Sequence, residues 1–580
     1  MGNKAFSDLI TFTRASSGSY YAANGTLMVA AINEPRYDYN LNSFKYQNLF
    51  LQSQFASSWL LPGAAISLTK NSTSAPDGTI TAAKITAVGG GSEYVYQNAT
   101  FFTGTTYTVS VYVKRINATE FTIRSFQQVG RGIFNLAALT ASADGIGSSA
   151  VISSVGGGWY RCSVVFTATS TGSNNIGYDT NSNAALGDAY YLWGAQLNRG
   201  STILPYYPTT TTIYEQLNLA GILVEESRTN YVRNSSMSGV VGGTPGTLPT
   251  NWGYGASAGV TVTRQVIGTG TENGIPYVDV RIYGTTDATA SPEISITFDT
   301  GAIIAATSGQ TWTSTFYAKI VAGTLTGILN GENYVICYTS GAVLTEAAPA
   351  AFSYTLNAGN LRDNRIAKTY TTTIGTTAFI QNRIDVNLIP SSTVDFTIRV
   401  GLPQLELSAF ATSPIHTSSA AVTRSADLMD ITGTNFSTMF NSTQGTFYSE
   451  SIMGATIPAA TYNTTIGAEL DATNRMVFVY NPANYIGMYV VTAGAGQADL
   501  GIAGSLNVVN KQAGCYLTND FAWSLNGAAP LTDTSGTVPT GIDKLRIGNN
   551  LGTVKGVQWI RKVKYYPKRL TNAELQALTV

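Results

Sequence analysis

One histidine in 580 residues removes most acid–base and metal chemistry from consideration. His416 stands alone in Pro414-Ile-His-Thr-Ser, so neither a Ser-His-Asp triad nor a histidine-based metal centre can be assembled around it, and it reads as a connector residue. Paired carboxylates are the remaining route to hydrolysis, and Glu225/Glu226 and Asp427/Asp430 are close enough in sequence to suggest a glycosidase. Both pairs fall in segments expected to be connectors, where no pocket would raise one pKa and leave the other low. No catalytic residue is assigned. A Walker loop, a zinc-spaced Cys/His cluster and an EF-hand series are all absent, so neither a metal site nor a cofactor is expected. Cys162, Cys337 and Cys515 are odd in number, far apart and set in apolar strand-like contexts, which predicts buried free thiols.

Sugar recognition is the chemistry the residues do permit, through an aromatic platform under the apolar face of a ring and a few amide or carboxylate hydrogen bonds. Trp59, Trp252 and Trp523 fall in loop-like contexts and are the candidate glycan-binding residues. Trp159, Trp193, Trp312 and Trp559 sit in strand patterns and are expected in cores. Trp59 and Trp252 occupy the same place in an internal repeat, which a shared core would also produce, so packing at a module edge remains the other role open to them.

Charged residues make up 11% of the chain, with 33 basic and 33 acidic side chains, against roughly 25% in an average soluble protein. Such a balance gives no electrostatic case for nucleic acid or an anionic membrane. The 33 tyrosines and the abundant Thr, Ser, Asn and Gly must form the surface, which suits neutral polar partners such as sugars. The N-terminus lacks the apolar stretch of a secretory signal and no apolar run reaches 18 residues, so synthesis in a cytoplasm with no membrane insertion is expected.

These side chains must be positioned by strands. Thr446-Phe-Tyr-Ser-Glu-Ser-Ile and Arg475-Met-Val-Phe-Val-Tyr are β-prone runs bounded by Gly, Asn and Pro. Asn526-Gly527 between apolar segments predicts a hairpin. Thr571 and Glu574 form a capping-box pattern ahead of one short terminal helix. The length implies about three or four domains. Gly104-Thr-Thr-Tyr-Thr-Val-Ser-Val-Tyr-Val-Lys-Arg aligns with Gly309-Gln-Thr-Trp-Thr-Ser-Thr-Phe-Tyr-Ala-Lys-Ile. Asn48 with Trp59 matches Asn230 with Trp252, and Gln196 matches Gln404. Two copies of one module follow, the second lengthened mainly around Gly239 to Pro249. Short strands at about 10-residue spacing suggest a jelly roll.

Several of these segments carry a resemblance. Gly445-Thr-Phe-Tyr-Ser-Glu, Ser524-Leu-Asn-Gly, Leu545-Arg-Ile-Gly and Tyr565-Tyr-Pro-Lys-Arg-Leu-Thr-Asn-Ala-Glu-Leu resemble, in that order, the C-terminal concanavalin/laminin-G-like module of tailed-phage virion proteins. Gly156-Gly-Gly-Trp-Tyr-Arg-Cys-Ser and Trp193-Gly-Ala-Gln-Leu-Asn resemble carbohydrate-binding-module-like jelly rolls of phage and bacterial surface proteins. In the second copy Lys368-Thr-Tyr-Thr-Thr-Thr replaces the Gly-Trp-Tyr-Arg strand, a looser match. Phe12-Thr-Arg-Ala-Ser-Ser-Gly-Ser-Tyr, Pro35-Arg-Tyr-Asp-Tyr-Asn and Gly221-Ile-Leu-Val-Glu-Glu-Ser-Arg-Thr-Asn resemble a signature of phage structural proteins, in which they run nearly consecutively. Here copy one separates the last two, as an inserted or duplicated jelly roll would.

The expectation is an all-β chain: tandem jelly-roll β-sandwiches over 41–213 and 230–416, a C-terminal concanavalin-like sandwich over 438–580, connectors at 214–229 and 417–437, and an N-terminal virion-anchoring segment over 1–40. The resemblance implies a non-enzymatic virion structural protein (fibre, spike or capsid decoration) located on the virion. Its partners would be host cell-surface glycans and other virion proteins, in a homo-oligomer that the family suggests is a trimer. An architectural protein binding only neighbouring subunits and a tailspike-type depolymerase are the alternatives.

Overall fold

Alternation along the strands decides what each buries. Along Thr106–Arg115, Tyr107, Val109, Val111 and Val113 enter one core, and along Thr311–Gly323, Trp312, Phe316, Ala318 and Ile320 enter another. A fully buried valine or phenylalanine contributes roughly 1.5–3 kcal/mol, so each strand is fixed in register by its inner face. The computed structural model describes residues 6–55, 58–61, 65–89, 94–125, 130–144, 148–179, 185–257, 260–288, 291–301, 303–354, 359–454, 462–481 and 485–580. Among these the helices are Phe6–Leu9, Gly433–Ser437, Asn572–Thr579 and the 3-10 turn Leu361–Asp363, and the rest of the regular structure is strand. The protein is all-β and contains three β-sandwiches.

Two compact units are formed, Asn40–Asn218 and Met1–Tyr39 with Leu219–Val580. The first holds one repeat. Its sheets run Thr140–Asp144, Arg131–Asn135, Glu120–Ser125, Gly172–Asp179, Tyr94–Phe101 and Ser149–Gly156, Trp159–Thr167, Thr106–Arg115, Ala189–Arg199, Ala82–Ala87, Ile66–Thr73. The hairpin between Ser149–Gly156 and Trp159–Thr167 turns on Gly156, Gly157 and Gly158, all at positive φ, a run that side chains with a Cβ would strain.

The second repeat lies in the other unit with equivalent strands in the same order: Leu344–Phe352, Ile328–Tyr338, Phe379–Leu388, Glu293–Thr297, Gly253–Ala256, and opposite them Arg365–Thr371, Thr311–Gly323, Thr393–Glu406, Ile275–Thr286, Val260–Glu272. The matched amides do the same work in both. Asn48 donates to the carbonyls of Ala195 (2.9 Å) and Tyr207 (3.0 Å) and accepts from the amides of Phe50 and Leu197. Asn230 donates to Pro403 (3.1 Å) and Ile415 (2.9 Å) and accepts from Val232 and Leu405. Gln196 and Gln404 complete each clamp by accepting from Tyr207 and Ile415. Every polar atom of these buried amides is matched, so the clamp joins the chain's entry to its exit without an unpaired group.

The C-terminal sandwich packs two seven-stranded sheets. One runs Leu531–Asp533, Phe521–Leu525, Val509–Leu517, Gln444–Met453, Val557–Tyr566, Tyr214–Glu225, Tyr37–Asn48; the other runs Thr11–Thr13, Leu428–Thr432, Lys544–Ile547, Asn463–Asp471, Asn474–Tyr480, Tyr485–Thr492, Ala495–Ala503. Thr571 and Glu574 form a full capping box at helix Asn572–Thr579. Asn526 and Gly527 take positive φ, although the loop they start runs on to residue 530 before strand Leu531–Asp533.

Where it is described, the N-terminal segment is built into the fold: Thr11–Thr13 pairs with Leu428–Thr432 in the C-terminal sandwich, and hairpin Gly18–Tyr21/Leu27–Ala30 packs Leu27 against Ile275, Leu361 and Leu402 of the second repeat. One expectation is corrected: 214–229 and 417–437 are not plain connectors, since they supply the strands Tyr214–Glu225, Val422–Arg424 and Leu428–Thr432.

Candidate functional site

One carboxylate of each pair, Glu225 and Asp427, comes to rest in a closed charge cluster, while Glu226 pairs with Arg228. Arg36 bonds Glu225 (2.7 Å) and Asp427, Arg14 bonds Asp427 (2.9 Å), and Arg424 bonds Glu225 (2.8 Å). All five side chains are 0–1% exposed. Ser413 adds its amide (2.8 Å) and hydroxyl (2.6 Å) to Glu225, and the Glu225 amide reaches Asp427 at 2.9 Å. Burial alone would raise Glu225, but the guanidiniums of Arg424 and Arg36 outweigh it and hold the carboxyl at about 2. A carboxylate this saturated has no lone pair or proton for a substrate, so the cluster joins three distant segments of chain rather than catalysing. Asp430 faces elsewhere, on Arg546 at 3.1 Å. His416 is half-buried, and desolvation of its ring lowers its pKa.

The three candidate tryptophans lie in cores, which corrects their assignment as sugar platforms. Trp59 is 8% exposed, packs against Phe50, Phe55 and Tyr178, and donates to the Gln52 carbonyl at 2.8 Å. Trp252 is also 8% exposed, with Phe298 edge-on at 5.0 Å. Trp523 is 1% exposed inside the C-terminal core. Rings this buried offer no face on which a sugar could stack. The three cysteines are free and buried as expected.

An open site exists on the outer face of the C-terminal sandwich. In strand Asn474–Tyr480, Met476, Phe478 and Tyr480 point into the core, which turns Arg475, Val477 and Val479 outward. Ile486, Met488 and Val490 likewise turn Tyr485, Gly487 and Tyr489 outward, and Ala498 and Leu500 turn Asp499 and Gly501 outward. Cross-strand register sets Val477, Tyr489 and Asp499 in one row across the three strands, and Val479, Gly487 and Gly501 in the next. The two glycines leave the sheet bare. A Cβ on Gly501 would lie 2.4 Å from Cζ of Tyr485, and one on Gly487 2.9 Å from its Cε1, so the tyrosine ring lies over both.

Above this floor is a cleft of about 420 Å³, lined also by Tyr462, Asn481 and Asn550. The Tyr485 hydroxyl donates to Asp499, and burial together with that carboxylate pushes the phenol well above its usual range. Arg475 donates to Asn550 at 3.0 Å, and Tyr462, 51% exposed, stands at the rim. A flat aromatic ring, a valine floor and four hydrogen-bonding side chains at the ends are the features that hold a pyranose. No residue of this cleft was singled out from sequence, because Arg475, Tyr489 and Asp499 come to line one cleft only once three strands are in register.

A second buried acid, Asp385, lies on the outward face of strand Phe379–Leu388. Its Oδ2 bonds Arg383 at 2.7 Å while Oδ1 is buried without a hydrogen-bond partner, and burial, only partly offset by Arg383, pushes it up to about 7. Among the described residues no group of three or more His, Cys, Asp or Glu is placed to hold a metal ion, and no helix is long and apolar enough to cross a membrane.

No family model matches the chain, and no curated protein does. Solved structures similar to it include the CBM40 of Ruminococcus gnavus IT-sialidase, 19% identical over 24% of this chain and 84% of that one, at a TM-score of 0.21. The tandem CBM22-1–CBM22-2 domain of Paenibacillus barcinonensis Xyn10C is 11% identical over 64% of this chain and 100% of its own, at 0.21. Domains LG4-5 of the mouse laminin α1 chain are 8% identical over 45% and 86%, at 0.18. At such scores the fold rests on the strand pairing of this chain, which shows an all-β protein of β-sandwich modules.

Proposed function

We propose that the protein is a non-enzymatic structural protein of a bacteriophage virion that uses its β-sandwiches to bind glycans on the host cell surface. The observation that carries the glycan reading is the cleft on the C-terminal sandwich, where the Tyr485 ring lies over Gly487 and Gly501 with its hydroxyl on Asp499. The virion placement is supported by the ordered segments of the C-terminal tract and by the Phe12, Pro35 and Gly221 segments, whose resemblance is to phage structural proteins. Single sites of this kind bind weakly, and many copies on one particle raise avidity through effective concentration. Because residues 6–39 are folded into the larger unit, attachment to the particle and to other virion proteins would use a folded face rather than a free N-terminal arm.

The test is a glycan array of host surface polysaccharides probed with the full chain and with Tyr485→Ala. Binding by the parent that drops at least tenfold in the variant supports the reading. Absence of binding by the parent favours an architectural protein that contacts only neighbouring subunits. Shortening of the polysaccharide during incubation would replace adhesion with depolymerisation.

A further inference from the structure

The charges of the cleft suggest which glycan it selects. Granting the glycan reading of the cleft, on which this depends, we propose that its ligand is acidic, a pyranose whose carboxylate is received by Arg475. The guanidinium lines the cleft and is held at Nη1 by a neutral acceptor, Asn550 Oδ1, at 3.0 Å. Its cross-strand neighbour is Glu469, yet that carboxylate is taken by Nε of Arg546, whose Nη1 also takes Asp430 at 3.1 Å. Glu469 is near enough to feel the Arg475 charge, but among the described residues no carboxylate comes within 4.0 Å of the guanidinium, so no salt bridge closes it.

With Nε buried and one Nη1 hydrogen on Asn550, the remaining hydrogens of the two terminal nitrogens present an end-on pair that fits a carboxylate in bidentate fashion. Asp499, the acid of the cleft, lies two strands away from the Arg475 strand, roughly 10 Å in sheet spacing, and is engaged by the Tyr485 hydroxyl. The two ends are therefore complementary to a polar ligand: Arg475 attracts the carboxylate, and Asp499 repels it while accepting sugar hydroxyls. Val477, Val479 and the Tyr485 ring between them fit the apolar face of a ring.

The experiment titrates the full-length protein calorimetrically with hexuronic-acid oligosaccharides from alginate, pectin and hyaluronan, and with the same oligosaccharides after their carboxyl groups have been reduced to primary alcohols. At least tenfold tighter binding of an acidic form than of its reduced partner is the expected result, and added salt should narrow the gap. Arg475→Gln should bind both forms at the weaker level, while Arg475→Lys should recover part of the preference. Equal affinity of the parent for acidic and reduced forms overturns the acidic assignment and leaves the glycan reading intact. Failure to bind any form, together with no binding to neutral polysaccharides on the array, overturns both. The comparison of acidic with reduced ligand needs no variant, so a folding defect in Arg475→Gln does not affect it.

Discussion

Arg36 and Arg475 carry the same guanidinium in opposite surroundings. Arg36 spends its terminal nitrogens on Glu225 and Asp427 inside a cluster with no exposed member, whereas Arg475 has one neutral partner and faces a cleft of about 420 Å³. Charge density alone would rank the cluster as the functional site, since it gathers five charged side chains. What separates the two is saturation. In the cluster the lone pairs of Glu225 and Asp427 are already filled by segments that lie hundreds of residues apart, so it holds the chain together; in the cleft the donors and acceptors are arranged around empty space.

That contrast can be broken most severely at the cluster. Glu225→Gln removes the charge between Arg36 and Arg424 and is expected to lower stability by about 3–5 kcal/mol, as loss of one partner of a buried pair does, measured as a fall in the urea midpoint. A loss below about 1 kcal/mol would mean that the cluster behaves like surface ion pairs. Trp523→Ala is expected to cost a similar amount, about 3–5 kcal/mol, because it empties a core position, so any loss of binding should track loss of folded protein. Tyr485→Ala should do the reverse and abolish binding with the midpoint nearly unchanged.

Acid sharpens the comparison with smaller effects. Glu225 is held at about 2 against an ordinary 4.5, so its contribution is present above pH 4.5 and is lost as pH falls toward 2, on the order of 3 kcal/mol. Asp385 runs the other way. Raised from 3.8 to about 7, it favours the fold when protonated, and its contribution disappears as pH climbs from about 4 through 7. Asp385→Asn should therefore raise the urea midpoint at pH 8, by about 1 kcal/mol after allowing for the lost pair with Arg383, and flatten the pH dependence between 4 and 7. The smallest change is Tyr485→Phe, which keeps the ring and removes the hydroxyl on Asp499; binding should weaken less than in Tyr485→Ala, with stability altered by about 1 kcal/mol or less, read by titration and thermal melting.

Much of the architecture was legible in sequence because period-two alternation and turn residues are local signals. The repeat was readable for a related reason: Asn48/Asn230 and Gln196/Gln404 recur since each must saturate the same backbone groups at the module's entry and exit. What misled was polarity. Gly221 to Asn230 and Thr417 to Asp427 look like solvated linkers, yet Glu225 and Asp427 are buried against Arg14 and Arg36, partners that only the fold supplies. The tryptophans were chosen by loop context, and Trp59 and Trp252 proved to recur for packing. The cleft was hidden because glycines at 487 and 501 look like breaks in two weak strands until their alignment under Tyr485 makes them a floor.

The boundary between the two units falls inside strands Tyr37–Asn48 and Tyr214–Glu225, which are neighbours in one sheet. Whatever domain is spliced there leaves and re-enters through adjacent rails about 5 Å apart, a gap that any fold with its termini side by side can bridge without disturbing the register on either strand. The first repeat is thus an exchangeable cartridge, and a replacement of unrelated sequence would leave the clamped arginine cluster and the Tyr485 cleft as they are.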